Sequence, residues 1–196
     1  MRFILVIVLA ALGLAQTSGD TLVVADFDAG KAETRAGLAL WLFCDEQFGG
    51  TSEAHATLIH PGAGNSPGAL RLSFNVTGDF PTPLASAWAM VGPEGLATDV
   101  SAYRGVRFYA RSSSGSSFAA GIVRFPGQIR RYTAAFTTNA DWTLVDLPFG
   151  SFKQAPTPGA NAEALDPKDV TSFGVGVALN LRGEFELDID RIEFYR

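Results

Sequence analysis

Trp88 stands among small residues in the stretch Leu84-Ala-Ser-Ala-Trp-Ala-Met-Val91, and Tyr109, Arg124 and Arg131 stand on other short apolar stretches. A flat aromatic ring beside groups that fork hydrogen bonds suits a sugar: the ring covers apolar C–H patches and the polar groups take hydroxyls. Charged residues on otherwise buried stretches must face solvent or a ligand, which brings Arg124 and Arg131 into the set. The other reading is architectural, with Trp88 and Tyr109 in the core and the arginines on a solvated face.

Residue types that do covalent or zinc chemistry are scarce. His55 and His60 fall on opposite faces of a strand, and neither has a sequence neighbour that completes a triad or a metal cluster. The single cysteine, Cys44, closes no internal disulfide and reads as a small buried hydrophobe. A glycosidase needs two carboxylates about 5 to 9.5 Å apart across a cleft. The 20 Asp and Glu residues include no pair that stands out, so an enzyme is not expected. Trp142 and Pro148-Phe149 read as a core anchor and a strand terminator.

The elements that must position these residues are strands. A chain of 196 residues, 47% hydrophobic and 18% charged, buries one core, and a net charge of -5 argues against binding nucleic acid. Residues 1–15 have the plan of a secretory signal: Met1-Arg2, an apolar run over 3–12, and small residues before a cut after Ala15, or alternatively after Gly19. That leaves a single domain from about residue 20 to 196, secreted or periplasmic, with no membrane span after cleavage.

Beyond the leader, short β-branched or aromatic runs end in Gly, Pro, Asn or Asp within about ten residues, the pattern of an all-β sandwich or barrel. Strands are predicted at 22–27, 38–44, 53–59, 69–76, 84–91, 105–111, 117–125, 129–138, 143–147, 172–181 and 184–195. Asp99 and Asp166 each open a predicted helical turn. Phe185, Leu187 and Ile189 share one face, while Ile192 and Phe194 fall out of phase. An inserted residue near Asp190 restores them, which predicts a bulge. Gly49-Gly50 marks a tight connection in which Asp45 and Ser52 cap backbone groups.

Trp41, Asp45, Gly49, Gly50, Ser52 and Ala54 reproduce the spacing W-x-x-x-D-x-x-x-G-G-x-S-x-A. Asp26-Phe27-Asp28, Tyr103-Arg-Gly105, Trp142 to Phe149 and Phe185 to Ile192 follow the same pattern in order. This resembles the complex I intermediate-associated protein 30 family, itself similar to family 11 carbohydrate-binding modules. Phe48 departs from it, standing where a methionine is common. The resemblance implies a two-sheet jelly-roll β-sandwich of the galactose-binding-like type, with one concave sheet open to a carbohydrate or glycan. It also implies an alternative role as a protein-interaction or assembly factor for an envelope or secreted complex. Sandwich modules of this class often clip the first strand to the last with calcium, which here would draw on Asp26, Asp28, Asp188 and Asp190. Otherwise these aspartates cap turns and bulges.

Overall fold

The computed structural model describes residues 21–78, 80–113, 117–125, 129–155, 163–178 and 181–196. The predicted leader lies outside them. Twelve strands follow in order: β1 (Thr21–Ala25), β2 (Trp41–Cys44), β3 (Glu53–Ile59), β4 (Ala69–Val76), β5 (Ala85–Met90), β6 (Gly105–Arg111), β7 (Ser117–Arg124), β8 (Arg130–Thr137), β9 (Thr143–Pro148), β10 (Lys153–Gln154), β11 (Val170–Val177) and β12 (Gly183–Tyr195). Helix among the described residues is confined to four short 3-10 turns. None is long and apolar enough to cross a membrane.

The strands form two antiparallel sheets, as predicted for an all-β sandwich. Sheet 1 runs β3-β4-β12-β6-β9, and β1 pairs with the end of β12 that β4 leaves free. Sheet 2 runs β10-β8-β7-β11-β5-β2. Alternation decides which side chains meet between them. Leu70, Leu72, Phe74 and Val76 on β4, Val106 and Phe108 on β6, and Leu187 and Ile189 on β12 are buried from sheet 1. Phe118 and Ile122 on β7, Tyr132 and Phe136 on β8, and Phe173 and Val175 on β11 face them from sheet 2. Each such side chain contributes about 1.5 to 3 kcal/mol by leaving water.

The register of β12 against β6 slips between Asp190 and Glu193, and Arg191 takes a φ of 47°. This is the predicted bulge, and it returns Ile192 and Phe194 to the core. The two predicted helical turns are not helices. Asp99 and Asp166 each accept a hydrogen bond from the backbone N–H two residues on, at Ser101 and Lys168, and so close single turns before the next extended segment. Strand β10 escaped prediction because two residues carry no periodic pattern.

Candidate functional site

Strand β5 alternates Ala85, Ala87 and Ala89, each buried, with Ser86, Trp88 and Met90 on the outer face of sheet 2. On β11, Phe173 and Val175 point inward, so Gly174 and Gly176 are outward; on β7, Ala119, Gly121 and Val123 are outward. Register aligns these positions into a row. Trp41 pairs with Trp88, Trp88 with Gly174, Gly174 with Gly121, Gly121 with Thr133, and Thr133 with Lys153. The row crosses the six strands of the sheet, roughly 24 Å at the usual strand spacing.

The glycines in that row let the indole lie down. A Cβ on Gly174 would come within 2.4 Å of Trp88 Cδ2, and one on Gly121 within 2.5 Å of its Cη2. The ring therefore occupies the space that side chains on the next two strands would fill. Trp88 Nε1–H donates to Ser86 Oγ at 2.9 Å, and Ser86 Oγ–H donates to the Phe43 carbonyl at 3.1 Å, which fixes the ring's orientation.

Two pockets adjoin at Trp88 and Arg131. One, about 590 Å³, is lined by Trp41, Phe43, Met90, Val123, Phe125 and Ile129 among others. The second, about 350 Å³, continues over Gly121, Gly174, Thr133 and Lys153. Trp41, Phe125 and Ile129 are 51%, 54% and 71% exposed, so apolar surface is offered to whatever enters. Arg131 takes part in no ion pair among the described residues.

The structure therefore divides the predicted ligand set. Trp88 and Arg131 come together on the outer face of sheet 2. Tyr109 lies on the outer face of sheet 1, beside Asp26, Asp28 and Asp190. Arg124 is set apart from that face: it is the last residue of β7 and its side chain is 6% exposed. It donates to the Lys168 carbonyl at 2.9 Å and to Asp166 Oδ2 at 3.2 Å. The expectation that strand arginines face solvent or ligand fails there because a loop supplies the counter-charge. Trp41, Phe43, Phe125, Ile129 and Lys153 were missed. The signal for Trp41 and Phe43 was present, since Leu42 and Cys44 alternate with them.

The loop holding β2 to β3 supports this face from below. Asp45 is fully buried and accepts from Ser52 N at 2.9 Å, Ser52 Oγ at 2.6 Å and Leu84 N at 3.0 Å. Ser52 Oγ in turn accepts from Thr77 N at 3.1 Å. Asp45 thus ties the connection after β2 to Leu84, the residue just before β5. Gly49 closes the turn at a φ of 93°, and a Cβ on Gly50 would sit 2.1 Å from Asp45 Oδ1. Cys44 is buried beside it, and that burial pushes its thiol pKa up.

Of the four aspartates considered for calcium, Asp26, Asp28 and Asp190 line one cavity on sheet 1, and Asp188 lies outside it. Asp188 accepts from Arg71 Nε at 2.7 Å and Arg111 Nε at 2.8 Å, and Asp26 pairs with Arg35. Asp190 accepts from Ser66 Oγ at 2.6 Å and Ala63 N at 2.9 Å. Among the described residues, no three His, Cys, Asp or Glu side chains are placed to hold a metal. Trp142 is also not the predicted core anchor: it is half-buried on sheet 1 with the Arg111 guanidinium 4.6 Å from its ring centre.

Solved structures share this architecture. A family 11 carbohydrate-binding module from Clostridium thermocellum, in complex with a β-1,3-1,4-mixed-linked tetrasaccharide, superposes with a TM-score of 0.67 at 17% identity, covering 91% of this chain and 97% of that one. The family 30 carbohydrate-binding module of the C. thermocellum cellulosomal cellulase Cel9D-Cel44B gives a TM-score of 0.64 at 15% identity, covering 88% and 95%. At these identities the likeness establishes the fold. Comparison with curated protein sequences finds no match. The model of the complex I intermediate-associated protein 30 family matches residues 27–189, and the chain belongs to that family.

Proposed function

We propose that the protein is a non-catalytic module that binds a carbohydrate or glycan on the outer face of sheet 2. The observation that carries this reading is the Trp88 indole, laid over Gly174 and Gly121 and pinned through Ser86, at the junction of the two pockets. A ring held flat in an open groove offers a face to pyranose C–H groups with little loss of side-chain freedom on binding. The family 11 relative, whose structure contains a bound tetrasaccharide, supports the reading through a shared fold. The predicted secretory leader supports a place of action outside the cytoplasm, in the secreted or periplasmic space.

Affinity-gel retardation over a panel of soluble polysaccharides tests it. At least one polysaccharide should slow migration, and Trp88→Ala should weaken that binding by about 30-fold or more, the size of a hot-spot truncation. Circular dichroism of the variant should remain that of the parent. No retardation by any polysaccharide, with stoichiometric capture of one envelope protein instead, would overturn the proposal in favour of an assembly factor.

A further inference from the structure

Given a glycan on this face, we infer that it is an anionic one, bearing carboxylate or sulfate groups, and that Arg131 holds an acidic group beside the sugar ring stacked on Trp88. The chain is acidic overall, with a net charge of -5, yet among the described residues no Asp or Glu lines either pocket, and the charged residues that do are Arg131 and Lys153. Arginines next to Arg131 are spoken for. Arg130, its chain neighbour, pairs with Glu163 at 2.7 Å, and Arg124 meets Asp166 and Asp169. Arg131 is exposed and makes no ion pair among the described residues. Across the sandwich, Arg71, Arg107 and Arg111 all meet carboxylates at 2.7 or 2.8 Å.

Hydrogen-bond bookkeeping points the same way. A neutral sugar hydroxyl both donates and accepts, so it favours sites that contain acceptors. Here several neutral polar groups are already engaged: Ser86 with Trp88, Thr171 with the Val123 carbonyl, and the Gln154 side-chain Oε1 with Glu163 N–H. The hydroxyls of Thr82, Thr133 and Ser172 also line the pockets and can donate or accept, but the charged groups there only donate. The Arg131 guanidinium presents a donor fork, and Lys153 adds an ammonium whose contact is with the Gly150 carbonyl at 3.3 Å. Carboxylate and sulfate are acceptor-only groups that fit a fork of donors, and Arg binds them bidentately.

The test is calorimetric titration of the protein with three probes: a galacturonate oligosaccharide, a sulfated galactan oligosaccharide and a neutral β-1,3-1,4-glucan tetrasaccharide. At low salt, one anionic probe should bind at least about tenfold tighter than the neutral one, and which does so separates carboxylate from sulfate. The preference should collapse between about 0.01 M and 1 M salt, as the screening length falls from about 30 Å to about 3 Å. Arg131→Gln combined with Lys153→Gln should bring the anionic and neutral affinities within about threefold of each other. Arg131→Lys, which keeps the charge but not the fork, should fall between.

Equal or tighter binding of the neutral probe overturns this inference and leaves the glycan reading intact. So does an anionic preference that survives the double substitution. No binding by any of the probes or by the polysaccharide panel overturns both.

Discussion

Trp88 and Asp45 show how single residues shape this molecule through contacts that differ in kind. Trp88 is a large apolar ring kept out of the core by strand parity, while Asp45 is a carboxyl group held in the interior by hydrogen bonds that include those from Ser52 and Leu84. Asp45→Ala leaves the Ser52 and Leu84 N–H groups without their buried acceptor. It should lower the unfolding free energy by about 3 kcal/mol in urea titration.

Asp190 behaves differently. Burial pushes its carboxyl above the ordinary carboxylate range, opposed by the bonds from Ser66 and Ala63 and reinforced by nearby Asp28. Its Oδ1 is buried with no side-chain or ion-pair partner among the described residues, and the Arg191 backbone N–H also favours the charged form. With the folded pKa above the unfolded one, the native state holds the proton longer, so this group's contribution to stability falls as pH rises from the unfolded pKa through the folded one. Asp190→Asn keeps an acceptor for Ser66 and Ala63 but removes the titration. Its stability relative to the parent should therefore be more favourable at pH 7 than at pH 4. A larger loss at pH 7 would contradict this and would mark Asp190 as an ionised group needed by a cation.

At the scale of elements, the groove depends on outward glycines in two adjacent strands. Gly121→Ala places a methyl group against the Trp88 ring and leaves the backbone otherwise unobstructed. It should tilt the ring, cost about 1 kcal/mol of stability, and reduce glycan affinity by about tenfold, read by denaturation and titration on the same sample. Unchanged affinity would separate the ring's placement from binding. Strand positions and the β12 bulge were legible in the sequence because both follow from alternation, a local signal. The Trp88 platform was only half legible. Its outward parity is readable, but the register that sets Gly174 and Gly121 beside it depends on pairing across three strands. Arg124 misled for a related reason: its parity matches Phe118 and Ile122, yet its counter-charges come from a loop more than forty residues along the chain. The motif around Asp45 was read correctly as architecture, since Asp, Gly-Gly and Ser at that spacing close a turn.

At the scale of the whole molecule, the two outer faces are chemically distinct. Sheet 1 carries ion pairs, with Asp188 between Arg71 and Arg111 and Glu193 between Arg107 and Arg191. The outer face of sheet 2 carries Trp41, Phe43 and Trp88 together with Arg131 and Lys153, which make no ion pair among the described residues. Such a division lets one face stay solvated while the other takes a ligand. The proposed secretory leader carries its own prediction: mass spectrometry of the protein recovered outside the cytoplasm should find a chain beginning at Gln16, or at Asp20 if the alternative cut is used, and an intact N-terminus would contradict it.

Amide and indole shift mapping by NMR during titration with the galacturonate, sulfated galactan and neutral glucan oligosaccharides asks directly which face binds. Progressive shifts should centre on the Trp88 Nε1–H and the amides of Gly121, Gly174 and Arg131, leaving Tyr109 and Arg111 on sheet 1 unmoved. Shifts confined to Tyr109, Ala63 and Asp190, or no shifts with any of the three, would contradict a glycan site on sheet 2.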